Sequence, residues 1–139
     1  MRSEKIISAI KDKLSEKDEI IAAYIFGSFL HDKEYEDIDI GILLETSFKP
    51  DYLYEIYLTQ ILEEYFKNKF DKYFEFDIHV LNNQNLRFLF SILQNAILII
   101  SKNDKKRAKF ESQVIIRYLD IKPLYEYYDK MRKLRYANR

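Results

Sequence analysis

The sequence predicts an α/β domain of the α+β kind, a small mixed sheet of about four strands flanked by helices. Three observations predict it. Apolar residues recur at helical spacing in the first segment and in several later ones. Other segments are short, rich in Ile, Val and aromatics, and one of them, residues 73–81, alternates strictly. The two patterns interleave along the chain with no repeat, linker or low-complexity segment. A length of 139 residues and a hydrophobic fraction of 47% suit a single domain, residues 1–139, with a real core.

Residues 3–15 place Ile6, Ile7, Ile10 and Leu14 on one helical face, with Ser3 as N-cap. A polar connection, Glu16 to Glu19, leads into a buried strand, Glu19 to Phe26, and Gly27-Ser28 begins a short turn or helix. Asp37 to Leu44 reads as a second strand, most simply paired with the first. Pro50 stands where a helix starts, and Leu53, Ile56, Tyr57 and Ile61 give that helix its expected core stripe, to about Asn68. In the third strand Phe74, Phe76, Ile78 and Val80 face one way, Glu75, Asp77 and His79 the other. A helix follows from Asn85 to Gln94, then a short fourth strand from Ala96 to Ile100 and a helix from Asp104 to about Leu119. Pro123 is expected to end that helix, leaving a separate last one from about Leu124 to Leu134.

No apolar run approaches the length of a membrane span, and the N-terminus lacks the apolar core of a secretory signal. The absence of cysteine excludes disulfides and thiolate metal sites and fits a cytoplasmic setting. Two histidines, His31 and His79, are too few for a His-based zinc site. The net charge of zero hides an asymmetry. Residues 1–101 carry 11 Lys/Arg against 18 Asp/Glu, and residues 102–139 carry 12 against 5. The basic helical C-terminal segment 102–139 reads equally as a solvated helix face or as a match for an acidic surface: a partner protein, RNA, or the acidic body of the same chain.

The chemistry gathers around Tyr24-Ile25-Phe26-Gly27-Ser28 and Glu36-Asp37-Ile38-Asp39-Ile40-Gly41. Strand side chains repeat every second residue, so Asp37 and Asp39 project together from an otherwise apolar strand. Two such carboxylates repel unless a cation lies between them, and hard cations such as Mg²⁺ are held by one or two carboxylates plus substrate phosphates. Gly27 permits close backbone approach, and Ser28 adds a hydroxyl to the exposed N–H groups that a phosphate needs. Asp77 is the natural third carboxylate. His79 shares its face and could orient it, but as a lone strand histidine it reads first as a packing residue. The pattern points to a metal-dependent nucleotidyl transfer site with Asp37, Asp39 and Asp77 as catalytic and metal-binding residues and Gly27 and Ser28 as nucleotide-binding ones.

On these residues the chain resembles the minimal nucleotidyltransferases of the DNA polymerase β superfamily, and more narrowly the MNT-type antitoxins encoded beside HEPN toxins. The family signature of Gly-Ser, a spacer, Asp-x-Asp and a later acid falls on Gly27, Ser28, Asp37, Asp39 and Asp77. The strand Phe76 to Asn82 and the helix bearing Tyr118 and Asp120 extend the likeness over most of the chain. The spacer is eight residues and lacks a glycine, and Phe29 follows Ser28 where many relatives carry a basic residue, a charge that Lys33 is placed to supply. The resemblance implies a polymerase-β-like fold, two Mg²⁺ ions, ATP as substrate, and transfer of AMP to a tyrosine hydroxyl of a HEPN toxin, which this protein would silence as its antitoxin. Two alternatives remain open at this point. One is neutralisation by stoichiometric occlusion without catalysis. The other is transfer to RNA or a small molecule, with the basic segment as an RNA contact.

Overall fold

The structure, a computed structural model, describes residues 3–27, 29 and 37–137. Its elements are α1 (Ser3–Leu14), β1 (Ile20–Phe26), β2 (Asp37–Leu44), α2 (Tyr54–Phe70), β3 (Glu75–Val80), α3 (Leu86–Asn95), β4 (Ile97–Ser101) and α4 (Asp104–Ala137). Ser28 and the spacer residues Leu30 to Glu36, with His31 and Lys33 among them, lie outside the described residues.

The strands form one mixed sheet in the order β3-β2-β1-β4. β1 runs antiparallel to both β2 and β4, while β2 and β3 are parallel, joined by the crossover helix α2. The side chain of Asn82 extends the β2 edge beyond β3. It accepts from the Leu44 N–H at 2.9 Å and donates to the Leu44 carbonyl at 2.8 Å, replacing a strand neighbour with an amide.

Alternation divides the sheet into two faces. Ile38, Ile40, Ile42 and Leu44 of β2, with Ile25, Phe76 and Ile78, pack beneath α1 and α2 in the larger core. Tyr24, Leu43 and Leu81 pack beneath α3 and α4 with Leu89, Ile92 and Val114 in a smaller one. Gly41 belongs to this second face, and its missing side chain admits the methyl groups of Leu81, which would lie 3.0 Å from a Cβ there.

Three expectations from the sequence are corrected. α2 turns Tyr54, Leu58, Leu62 and Phe66 into the core, whereas Leu53, Ile56 and Tyr57 are exposed. The i, i+4 row is continued by Phe66, the hub of an aromatic cluster with Phe70, Phe74 and Phe76 at centroid distances of 5.2–5.6 Å. An aromatic anchor at the far end of the helix thus decided which of two plausible stripes faces inward. The helix also begins at Tyr54 rather than at Pro50, because Asp51 Oδ1 accepts from the Leu53 N–H at 2.9 Å and holds the preceding turn.

Pro123 does not divide the last segment: α4 is one helix of 34 residues, about 51 Å long at the usual rise. Contacts on both sides of the proline hold it to the domain. Before it, the Tyr24 hydroxyl donates to Glu111 at 2.6 Å, Arg107 donates both ways to the same carboxylate at 3.0 Å, and Phe90 stacks on Tyr118 at 3.9 Å. After it, the Arg87 guanidinium lies 4.7 Å from the Tyr125 ring centre and pairs with Asp129. The carbonyl that loses its partner to Pro123 belongs to Leu119, an exposed residue, so water can replace that bond. Part of the basic segment's charge is met by the body itself: Lys106 pairs with Glu45 at 2.8 Å, and Lys102 donates to the Lys17 carbonyl at 2.7 Å.

Candidate functional site

The site lies where the second face of the sheet stops being core. Along β2 that face reads Asp37, Asp39, Gly41, Leu43, from exposed carboxylate to buried aliphatic. The opposite face of the same strand is Ile38, Ile40, Ile42 and Leu44, none more than 1% exposed, which fixes the strand and so the direction of its carboxylates.

Parallel pairing sets Asp39 beside Asp77, and Asp37 beside Glu75 one pair further out. Ligand atoms of Asp39, Asp77 and His79 all lie within 4.8 Å of one another. Asp37 projects on the same side from the start of the strand, is exposed, and stands outside that group. Burial pushes the Asp39 carboxyl above the ordinary aspartate range. The neighbouring Asp77 charge adds to this, His79 partly offsets it, and Asp37 raises it further. A carboxylate held among like charges on a half-buried strand has the electrostatics of a cation site, and oxygen donors of this kind suit a hard divalent ion.

Gly27 follows β1 with φ +84, a conformation that side-chain-bearing residues rarely adopt. A Cβ on it would meet Asp39 Oδ2 at 2.2 Å. The glycine therefore meets two requirements, the left-handed turn and the space occupied by the carboxylate. Ser28, the other expected nucleotide contact, lies outside the described residues. Phe29 is 4% exposed and belongs to the larger core, so the position where relatives often carry a basic residue here anchors the turn.

His79 is the residue that sequence reasoning set aside. It is packed, as expected of a strand histidine, with ring centroids 5.7 Å from Phe26 and 5.5 Å from Phe88. It also reaches the site, with Nε2 3.2 Å from Asp77 Oδ2. The signal was present in the alternation that put it on the Asp77 face. What the sequence lacked was the distant Phe26 and Phe88, which clamp the ring in place.

The family described as Polymerase beta, Nucleotidyltransferase matches residues 8–105, which include both aspartate strands. The chain belongs to the polymerase beta nucleotidyltransferase family. Membership implies a nucleotide substrate and a divalent metal ion. A comparison with curated proteins finds no match. Among solved structures, the fold is similar to a crystal structure from Shewanella oneidensis with a TM-score of 0.69 at 14% identity, covering 93% of this chain and 97% of that one. It is similar also to a toxin–antitoxin structure with AMP-PNP, with a TM-score of 0.67 at 17% identity and coverage of 94% and 97%. A third is a tri-AMPylated Shewanella oneidensis HEPN toxin in complex with an MNT antitoxin, with a TM-score of 0.63 at 19% identity and coverage of 91% and 92%. At these identities the likeness is one of fold, and it extends over nearly the whole chain. Among the described residues no helix is long and apolar enough to cross a membrane.

Proposed function

We propose that this protein is a nucleotidyltransferase that moves AMP from ATP to a hydroxyl, a tyrosine of a HEPN-type toxin, and acts as that toxin's antitoxin in the cytoplasm. The observation that carries the reading is the pairing of Asp39 with Asp77 across two parallel strands, beside a glycine turn shaped around the Asp39 carboxylate. Likeness of fold to complexes of HEPN toxins, one of them AMPylated, supports the choice of acceptor.

In this reading Asp37, Asp39 and Asp77 hold Mg²⁺, two ions as in related two-metal sites. When bound, the metal supplies Lewis acidity toward the acceptor oxygen and neutralises charge on the phosphates. The protein's own contribution is positioning. The buried side of β2 keeps Asp37 and Asp39 in register, and Gly27 and Ser28 are the residues proposed to contact the triphosphate. Phe29, buried in the core, fixes that turn. No side chain forms a bond to the substrate. Alignment of the acceptor hydroxyl with the α-phosphorus and stabilisation of the charge that develops there account for the rate. In this reading a separate protein presents the acceptor. The long, exposed, basic helix α4 is the surface assigned to that partner.

The test is to incubate the chain with ATP, Mg²⁺ and the HEPN protein encoded beside it and to measure the partner's intact mass. One or more added AMP groups, lost in Asp39→Ala, is the expected result. Inhibition of the partner's RNase activity that persists in Asp39→Ala without any gain in mass would replace catalysis by occlusion.

A further inference from the structure

His79 is packed against aromatic rings on two sides of the site. Its ring is held between Phe26 of β1 and Phe88 of α3, and its side chain is 27% exposed, against 63% for Asp77. Nε2 lies 3.2 Å from Asp77 Oδ2, and a ring nitrogen lies within 4.8 Å of an Asp39 carboxylate oxygen. A ring that served only to orient Asp77 would need to reach Asp77 alone. Here one nitrogen and two carboxylates from neighbouring strands lie within 4.8 Å of one another.

The spacing fits a chelate. Two donors each about 2.1 Å from an octahedral ion, at right angles to one another, lie about 3 Å apart. The Nε2 to Oδ2 separation of 3.2 Å is close to that bite.

We infer that His79 is a direct nitrogen ligand of the metal bound by Asp39 and Asp77, so that the site favours a divalent transition ion such as Mn²⁺ over Mg²⁺. Imidazole adds affinity for transition ions and little for Mg²⁺, which prefers oxygen donors and water. The inference rests on the metal-dependent reading proposed above and deepens it. Mg²⁺ still enters, but the nitrogen donor raises the selectivity of the site for its transition-metal competitor.

The experiment is a Mn²⁺ titration of the full-length protein followed by electron paramagnetic resonance, with Mg²⁺ as competitor and no nucleotide present. The expected result is Mn²⁺ bound at least about tenfold more tightly than Mg²⁺, with nitrogen modulation in the pulsed spectrum. In His79→Gln that modulation disappears and Mn²⁺ binding weakens by about tenfold or more, whereas Mg²⁺ binding changes by less than about threefold. His31→Gln keeps the modulation. Histidine labelled with ¹⁵N, introduced into the His31→Gln protein, reads the same ligand without altering His79, so the result does not depend on the His79 variant folding. Mn²⁺ bound with no histidine nitrogen signal overturns the inference and leaves the metal-dependent reading intact. Absence of any binding that Asp39→Ala abolishes overturns both.

Discussion

The face of the sheet beneath α1 and α2 is filled along its whole length, whereas the face beneath α3 and α4 gives way to carboxylates halfway along β2. The same eight residues serve both. Ile38, Ile40, Ile42 and Leu44 are removed from water, and fully burying such a side chain contributes about 1.5–3 kcal/mol, so together they contribute roughly 6–12 kcal/mol. Two carboxylates about 4 Å apart near a protein surface repel by about 1–4 kcal/mol. Burial on the closed face outweighs that repulsion and holds Asp39 of β2 beside Asp77 of β3. Function therefore sits on the face that stability can spare.

The comparison is broken most directly by emptying each core in turn. Phe66 is fully buried at the centre of the aromatic cluster of the closed face, so Phe66→Ala is expected to cost about 3–5 kcal/mol by urea denaturation. Leu89, 7% exposed in the smaller core, should cost nearer 2 kcal/mol when replaced by alanine. Equal losses would mean that the two faces share the stability evenly and that β2 is not fixed from one side.

A smaller change should separate geometry from stability. Gly27→Ala puts a methyl group where Asp39 Oδ2 lies and asks alanine to adopt φ +84. The backbone cost is about 1–2 kcal/mol, which a domain of this size tolerates. Displacing the carboxylate by about 1 Å should reduce the proposed AMP transfer about a hundredfold while the circular dichroism spectrum is unchanged. Activity within a few-fold of wild type would show that the turn does not shape the site.

These two faces were unequally legible in the sequence. The strict alternation of residues 73–81 and the Asp-x-Asp of β2 revealed strands and faces together, because a period of two assigns every side chain at once. The parallel pairing that sets Asp77 against Asp39 follows from the crossover through α2 once the order of elements is known. Helices were less determinate. In α2, Leu53, Ile56, Tyr57 and Ile61 formed one acceptable stripe and Tyr54, Leu58, Leu62 and Phe66 another, and only packing of Phe66 against Phe74 and Phe76 chose between them. Pro123 was a sound local stop signal that Tyr118, Tyr125 and Asp129 overrode through contacts with Phe90 and Arg87 of α3. His79 was visible as a neighbour of Asp77, but its orientation depends on Phe26 and Phe88, which are 53 residues before and 9 after it in the chain.

The gentlest test acts on the charge of the open face alone. Burial and the Asp77 carboxylate raise the Asp39 carboxyl above its ordinary value of 3.8, so the folded state binds that proton more tightly than the unfolded chain does. Stability from this group is therefore fully present below 3.8, falls as pH rises through the raised folded value, and is absent at neutral pH. Asp39→Asn removes the liability. In the absence of divalent ions the variant should melt slightly above wild type at pH 7, by less than about 4 °C, and the difference should vanish below pH 3.8, where both side chains are neutral. Adding a divalent ion at pH 7 should reverse the order, because the wild-type carboxylate gains the counter-ion and the amide does not. A variant that melts lower than wild type in chelator would mean that Asp39 is satisfied without a cation, and the open face would then be ordinary polar surface.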